Sequence, residues 1–194
     1  MESITLSKGT VHIRPFRIQD SRELYEAAWE SSAALCSTMT WFRRDYTLRH
    51  AKLFVERSAT EWAADARYDF AIIDAKDGAF CGSVGLSQID RRHQLANVGF
   101  WVRRSRVGQG IATAAVQLIT DYGLTELRLS RLEFLVAQSN YASQRVAVKV
   151  GAKLEGILRK RLTLSGVPEH ALLFSLIKGE PGRPNGARRR LRTR

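Results

Sequence analysis

The sequence is poor in cysteine and has no long apolar segment. Two cysteines, Cys36 and Cys81, among 194 residues are too few for a disulfide-stabilised secreted scaffold, so we expect both thiols to be reduced. The longest uncharged apolar runs, such as 171–177, are far shorter than the roughly 20 residues that cross a bilayer. The first residues also lack the basic and then apolar pattern of a secretory signal. These features predict a cytoplasmic protein that does not associate with membranes.

Histidine is also scarce and does not cluster. His93 and His170 lie far apart in the sequence, and no third ligand stands at a metal-binding spacing from either. We therefore predict no metal site.

Positive charge is concentrated at the C-terminal end. The net charge is +12, and the last 14 residues contribute six arginines, no acid and few apolar side chains. This composition predicts a disordered basic tail at 180–194, after one globular domain at 1–179. The rest of the chain, at +6, is only moderately basic. An arginine-rich tail can hold a protein near RNA or the ribosome, or it can be a solvated extension without a function.

The order of apolar patterns predicts an α+β fold. Two apolar runs between residues 69 and 89 are joined by Asp77-Gly78, a dipeptide typical of a tight hairpin, and a third run at 96–102 completes an antiparallel meander. Together, the predicted elements form a mostly antiparallel central sheet of about seven strands flanked by about four helices. The other strands are predicted at 11–16, 132–137, 153–164 and 169–178, and the helices at about 20–29, after Asp45, at 108–127 and at 139–150.

A glycine-containing turn follows the strand that ends at Val102. Gly108 and Gly110 flank Gln109, and glycine permits positive φ and close approach of the backbone to a ligand. The first N–H groups of the next helix lack internal acceptors and lie at the positive end of the helix dipole, which suits a pyrophosphate. The spacing alone is equally compatible with an ordinary strand-to-helix connection that has a basic rim, here Arg103, Arg104 and Arg106.

Two other phosphate-binding motifs do not fit this turn. A dinucleotide-binding G-x-G-x-x-G motif would need glycine or alanine where Thr113 stands. A P-loop needs the sequence G-K-[ST], which the chain does not contain.

Three elements, in order, resemble one enzyme family. They are Gly108–Thr113 (GQGIAT), Asn140 with Ser143, and Gly151–Gly156 (GAKLEG). With the predicted strands around them, over about residues 8–178, the chain is similar to the GCN5-related N-acetyltransferase (GNAT) superfamily, and within it to the RimJ/RimL-type branch of ribosomal-protein N-acetyltransferases. The resemblance implies the GNAT fold, an acyltransferase activity and acetyl-CoA as the cosubstrate, with no metal.

The resemblance also implies where acetyl-CoA binds. The strand before the turn would align the pantetheine arm, the turn would bind the pyrophosphate, and Asn140 and Ser143 would contact the arm or lie near the leaving sulfur. Asn140 can also cap its helix, and both roles can coexist. The implied cofactor-binding residues are Phe100, Trp101, Val102, Val107, Gly108, Gln109, Gly110, Ile111, Ala112, Asn140 and Ser143.

The sequence departs from the family pattern at three positions. Val107 stands where Gln or Arg is usual, Ala114 where Glu is common, and Asn97 where a strand Glu often serves as the general base. Val107 should matter little, because the turn of the family pattern would bind phosphate through backbone donors. Because Asn97 replaces the usual Glu, the sequence does not identify the general base. The catalytic candidates are Asn97, Ser143 and Glu133, and Asp90 and Glu169 are further carboxylates that a water relay could reach.

The resemblance implies an N-acetyltransferase in which an amine attacks the thioester directly. An α-amino group with a pKa of roughly 7.7–8.0 is about a tenth neutral at pH 7, whereas a lysine is less than a thousandth neutral, so the α-amine needs less help from a base. We expect the N-terminal α-amine of a protein, first of all a ribosomal protein, as the acceptor. The alternatives are a small amine, such as an antibiotic or toxin, and a catalytically idle fold that binds RNA or a partner.

Overall fold

The computed structural model describes residues 4–180. The predicted basic tail at 180–194 lies, apart from Glu180, outside the described residues. None of the described helices is long and apolar enough to span a membrane.

Eight strands and five α-helices alternate along the described chain. The strands are β1 (Leu6–Lys8), β2 (Val11–Pro15), β3 (Tyr68–Asp74), β4 (Phe80–Asp90), β5 (Leu95–Val102), β6 (Arg131–Ala137), β7 (Lys153–Leu164) and β8 (Val167–Ile177). The helices are α1 (Asp20–Glu30), α2 (Ser32–Thr38), α3 (Leu48–Ala63), α4 (Ile111–Thr125) and α5 (Tyr141–Lys149), and a short 3-10 helix covers Arg104–Arg106.

All eight strands form one sheet, in the order β1-β2-β3-β4-β5-β6-β8-β7. Every neighbouring pair is antiparallel except β5 and β6, which run parallel. The crossover between the two parallel strands contains the glycine turn and α4, as parallel strands require a long connection. The only parallel junction of the described sheet therefore lies beside the predicted phosphate turn.

Helices pack on both faces of the sheet, so the strands carry two apolar clusters. Phe70 and Ile72 of β3 belong to the larger cluster, which includes the buried face of α4. Ala71 lies between them and belongs to the second cluster, with Leu24 of α1 and Val55 of α3. Because successive side chains of a strand point to opposite faces, odd-numbered β3 residues face α1 and α3. This face carries the candidate site.

The predicted fold class is confirmed, with one strand and one helix more than expected. The additional strand is β1, which has only three residues and pairs with β2 alone. The additional helix is α2, whose seven residues are too few for a clear periodic pattern. Both elements depend on tertiary contacts rather than on local sequence, which is why the pattern did not predict them.

Candidate functional site

The two parallel strands separate after three paired rungs. β5 and β6 pair at Leu95–Arg131, Ala96–Leu132 and Asn97–Glu133, and no further rung follows. β5 nevertheless continues to Val102, paired on its other side with β4. Its backbone groups beyond Asn97 therefore face a gap rather than a neighbouring strand. Such a gap can accept an extended ligand that hydrogen-bonds like an added strand.

Asn97 lies at the point where the strands part. Its side-chain Oδ1 accepts a hydrogen bond from the Leu135 N–H at 3.4 Å, across the opening gap. The amide side chain thus bridges β5 and β6 just beyond their last backbone rung.

The glycine turn has the backbone conformation that the sequence predicted. Gly108 and Gly110 have φ of 82° and 78°, in the left-handed region that favours glycine. Gly110 is the N-cap residue of α4, and the first N–H groups of that helix have no intrahelical acceptor. An added Cβ at either glycine would meet no atom within 4 Å, so open space lies in front of the turn. The turn can therefore receive an anionic group on its backbone donors.

The three arginines beside the turn differ in their partners. Arg103 forms an ion pair with Glu30, and Arg106 contacts Asp74 at 3.3 Å and Asp77 at 2.5 Å. Hydrogen bonding from Arg106 lowers the pKa of Asp77. Arg104 has no ion pair among residues 4–180, and its guanidinium is the cation of this group that is available to a phosphate.

Asn140 and Ser143 are brought together at the start of α5, directly after β6. Asn140 Oδ1 accepts a hydrogen bond from the Ser143 N–H at 3.1 Å, so Asn140 caps the helix as the capping interpretation predicted. Only the backbone of Ser143 takes part in this cap. Its hydroxyl has no hydrogen bond within the described chain and is free to contact a ligand.

The three carboxylates named as proton acceptors already have partners. Glu133 accepts a hydrogen bond from Arg131 Nε at 2.7 Å. Asp90 forms a hydrogen bond with the His93 ring, and Glu169 accepts one from the Ser139 N–H. These hydrogen bonds lower the pKa of both carboxyl groups. None of the three lines the cavity beside β5.

That cavity has a volume of about 700 Å³ and opens on the face of the sheet that carries α1 and α3. Its walls come from α3 and from the segment 39–46, including Trp41, Arg43 and Tyr46. Burial raises the pKa of Tyr46 to about 12, so its hydroxyl stays protonated. The floor consists of three register pairs of β4 and β5, which are Ser83–Trp101, Gly85–Gly99 and Ser87–Asn97.

Asp69 of β3 also lines the cavity, and the sequence reasoning did not single it out. It is 4% exposed, and its Oδ2 accepts hydrogen bonds from Arg67 Nε at 2.5 Å and Ser58 Oγ at 3.3 Å. Burial raises its pKa, although Arg67 opposes the shift. The signal in the sequence was a carboxylate inside the apolar strand YDFAIID, where an unpaired acid would be costly.

Basic side chains outnumber acidic ones in the cavity lining. Three arginines face two aspartates, so the lining is not acidic. The described chain also contains no group of three or more His, Cys, Asp or Glu side chains that could hold a metal ion. The charged and titratable lining residues besides Tyr46 are Arg43, Asp45, His50, Arg57, Arg67 and Asp69.

Comparison with known proteins agrees with this geometry. Residues 10–153 match the acetyltransferase (GNAT) domain family. The chain is 32% identical over 175 residues to "Probable N-acetyltransferase YjcK" of Bacillus subtilis, and the alignment covers 89% of this chain and 96% of that protein. It is 28% identical over 180 residues to the spermidine N(1)-acetyltransferase of Escherichia coli, covering 89% and 88%. Among solved structures it is similar to Mycobacterium smegmatis RimJ in complex with CoA-disulfide, with a TM-score of 0.85, 26% identity and coverage of 95% and 90%.

Proposed function

Since this chain belongs to the GNAT family of acetyltransferases, we propose that it transfers the acetyl group of acetyl-CoA to the N-terminal α-amine of a protein, with ribosomal proteins as the leading acceptors. Acetyl-CoA is its cosubstrate, and an amine is the group that it acetylates. The choice of an α-amine, and of a protein that carries it, is the step that the cavity and the strand junction support.

The proposed cofactor site follows the gap and the turn. The N–H groups of 108–112 would bind the pyrophosphate, with Val107 and Gln109 completing the turn and Arg104 adding a cation. The backbone of Phe100–Val102 would align the pantetheine arm in the gap beside β5. Asn140 and Ser143 would contact the arm from the start of α5.

Three tasks fall to the protein during transfer. Acetyl-CoA supplies a thioester that the amine attacks, giving an amide and the free thiol. A backbone N–H of β5 beside the gap would stabilise the oxyanion, as fixed donors do in acyl transfer. The Ser143 hydroxyl would lie near the leaving sulfur and could donate a hydrogen bond to it. The remaining task is to keep the attacking amine uncharged.

The observation that carries the choice of an α-amine is that no carboxylate of the described residues is free at the strand junction. Asn97 occupies the position where the strands part, and Glu133 across from it is held by Arg131. A lysine acceptor would need a strong nearby base, because its neutral fraction at pH 7 is below about a thousandth. An α-amine is about a tenth neutral and needs only a weak or relayed base.

A small amine is the second candidate, and the similarity to a spermidine acetyltransferase favours it. The charge of the cavity lining does not favour a polyamine. A polyamine carries several positive charges, whereas three arginines against two aspartates line this cavity. The lining therefore favours a neutral or acidic chain following the reactive amine.

A comparison of acceptors tests the proposal. Release of coenzyme A is measured with a peptide whose only amine is its N-terminus, with the same peptide N-formylated and containing one lysine, and with spermidine. We expect the free N-terminus to give the highest kcat/KM. Faster turnover of spermidine would instead establish the small-amine function. Absence of release with every amine would favour the idle, RNA-binding alternative.

We also propose that the basic tail at 180–194 brings the enzyme to ribosomes. Six arginines can displace counterions from RNA without contributing to the chemistry.

A further inference from the structure

A row of three residues crosses the cavity floor from β3 to β5, where it ends beside the gap between β5 and β6. Asp69 pairs with Gly85, and Gly85 pairs with Gly99. Residues directly opposite each other in an antiparallel sheet point to the same face, and all three line the cavity. Neighbouring strands lie about 4.8 Å apart, so roughly 10 Å separates the backbone of Asp69 from that of Gly99.

The two glycines keep this row free of side chains. A Cβ added at Gly85 would lie 2.6 Å from Asp69 Oδ1 and 2.7 Å from the Tyr68 carbonyl oxygen, so a larger residue would displace the carboxylate. A Cβ added at Gly99 would meet nothing within 4 Å and would project into the cavity. The space above Gly85 is therefore filled by Asp69 Oδ1 itself, whereas the space above Gly99 is open to the cavity, and we call the two positions together the glycine path (Gly85 and Gly99). It is long enough for one or two water molecules.

The Asp69 carboxylate presents one bonded and one free oxygen to this path. Oδ2 is fixed by Arg67 and Ser58, which sets the orientation of the group. Oδ1 lies above Gly85 and has no hydrogen-bond partner within residues 4–180. A carboxylate held by one oxygen and open at the other can accept a proton at a defined position.

We propose that Asp69 accepts the proton that the acceptor amine loses, through water on the glycine path. The inference rests on the proposed acetyl transfer. As the nitrogen–carbon bond forms and the carbon–sulfur bond breaks, the sulfur leaves with the electron pair and the nitrogen releases one proton. Water passes that proton to Asp69 Oδ1, and Asp69 later returns it to the thiolate or to solvent, so the enzyme is unchanged after each cycle.

Asp69 suits this role better than the other acids. Among residues 4–180, Asp45 is the only other acid that lines the cavity, and it is exposed on the segment before α3. Glu133 lies beside the strand junction but outside the cavity, in its ion pair with Arg131. The glycine path leads to Asp69 from Gly99, two residues beyond Asn97 on β5.

The charged neighbours of Asp69 determine the pH at which it works. Burial raises the pKa of Asp69. A general base is most effective when its pKa lies near the working pH, so this shift makes the aspartate a better base at neutral pH. Arg67 and the Ser58 hydroxyl lower the pKa again, and Glu61 raises it. The titratable and charged groups around it are Arg67 just before β3, Arg57 and Glu61 on α3, and Arg43, Asp45, Tyr46 and His50 in the cavity lining.

The first test compares two buried, arginine-paired aspartates. Asp69→Asn removes the proposed acceptor, whereas Asp20→Asn changes an equally buried aspartate that pairs with Arg14 outside the cavity. With whichever amine the parent enzyme acetylates best, we expect Asp69→Asn to lower kcat on the order of 10²-fold. Its affinity for acetyl-CoA by calorimetry should be unchanged, and the acid limb of the kcat–pH profile should disappear. Asp20→Asn should keep the parent profile.

A milder variant keeps the inference testable if Asp69→Asn does not fold. Ser58→Ala removes one hydrogen bond that stabilises the charged carboxylate, so the pKa of Asp69 rises and the acid limb should move to higher pH. A purely structural role would leave that limb in place. An unchanged kcat and pH profile in a folded Asp69→Asn enzyme, or an unmoved limb in Ser58→Ala, would overturn the inference. Neither result would affect the proposed acetyl transfer, which the comparison of acceptors with the parent enzyme tests separately.

Discussion

Arg131 donates two hydrogen bonds to Glu155, from Nη1 to Oε1 at 2.7 Å and from Nη2 to Oε2 at 2.5 Å. The same guanidinium binds Glu133 through Nε, so one arginine links β6 to β7 beside the strand junction. Ser175 on the strand between them donates a further hydrogen bond to Glu155. This network lies at the start of β6, whose residues Arg131 and Glu133 belong to the three pairs that β6 forms with β5.

Replacement of Glu155 should give a pH-dependent loss of stability. Hydrogen bonds from Arg131 and Ser175 lower the pKa of Glu155 from 4.5 to about 2, so its stabilising effect is complete above pH 4.5 and is lost as the pH falls toward 2. Glu155→Gln should therefore lower the free energy of unfolding in urea at pH 7, and the difference from the parent should shrink between pH 4.5 and 3. Glu56→Gln, which changes an exposed carboxylate, is the control. A difference that stays constant with pH would contradict the assignment.

The proposed binding of pyrophosphate to the glycine turn predicts a specific effect of Gly110→Glu. The substitution adds a negative charge in front of the helix N–H groups and forces a side chain into positive φ, at roughly 1–2 kcal/mol. We expect calorimetry to detect no binding of acetyl-CoA. Gly9→Glu is a matched control, since Gly9 also has positive φ and open space but lies between β1 and β2. Unchanged affinity in a folded Gly110→Glu protein would rule out this placement of the pyrophosphate.

Asn140 and Ser143 allow capping and cofactor contact to be separated. Asn140→Ala should cost about 1 kcal/mol of stability, whereas Asn140→Asp keeps a capping oxygen. Ser143→Ala should leave stability unchanged, because only its backbone N–H takes part in the cap. A fall in kcat/KM for Ser143→Ala without a change in urea midpoint is the expected result. Parental turnover in both alanine variants would leave capping as the sole role.

The tail is expected to affect location rather than chemistry. Deletion of 181–194 should leave acetylation of a short peptide unchanged and should lower co-sedimentation with ribosomes at low salt. The difference should disappear as salt rises, because six arginine–phosphate contacts depend steeply on counterion release. Replacement of the six arginines by glutamine should reproduce the deletion. Equal co-sedimentation of the full and shortened chains at low salt would exclude a tether.

Local signals in the sequence predicted the features that depend on local conformation. Asp77-Gly78 marked the β3–β4 hairpin, Gly108 and Gly110 adopt the positive φ expected of the turn, and Gly151, with φ of 92°, follows the end of α5. These positions need glycine for backbone reasons that the sequence alone expresses.

Features that depend on strand register could not be predicted in the same way. The row of Asp69, Gly85 and Gly99 exists only because two antiparallel registers align residues 14 and 16 positions apart. A shift of one residue in either pairing would turn Asp69 or a glycine to the opposite face. The length of the β5–β6 pairing is set by tertiary packing in the same way. The sequence therefore predicted the conformation of the glycine turn better than the lining of the cavity beside β5.

The most direct test of the proposed function is a comparison of protein N-termini in cells with and without the gene. Mass spectrometry of the whole set of N-terminal peptides reports α-amine acetylation without assuming an acceptor. We expect one or a few N-termini, those of ribosomal proteins first, to be acetylated only when the gene is present. Identical N-terminal acetylation in both cells, together with loss of an acetylated small amine when the gene is removed, would contradict the proposal.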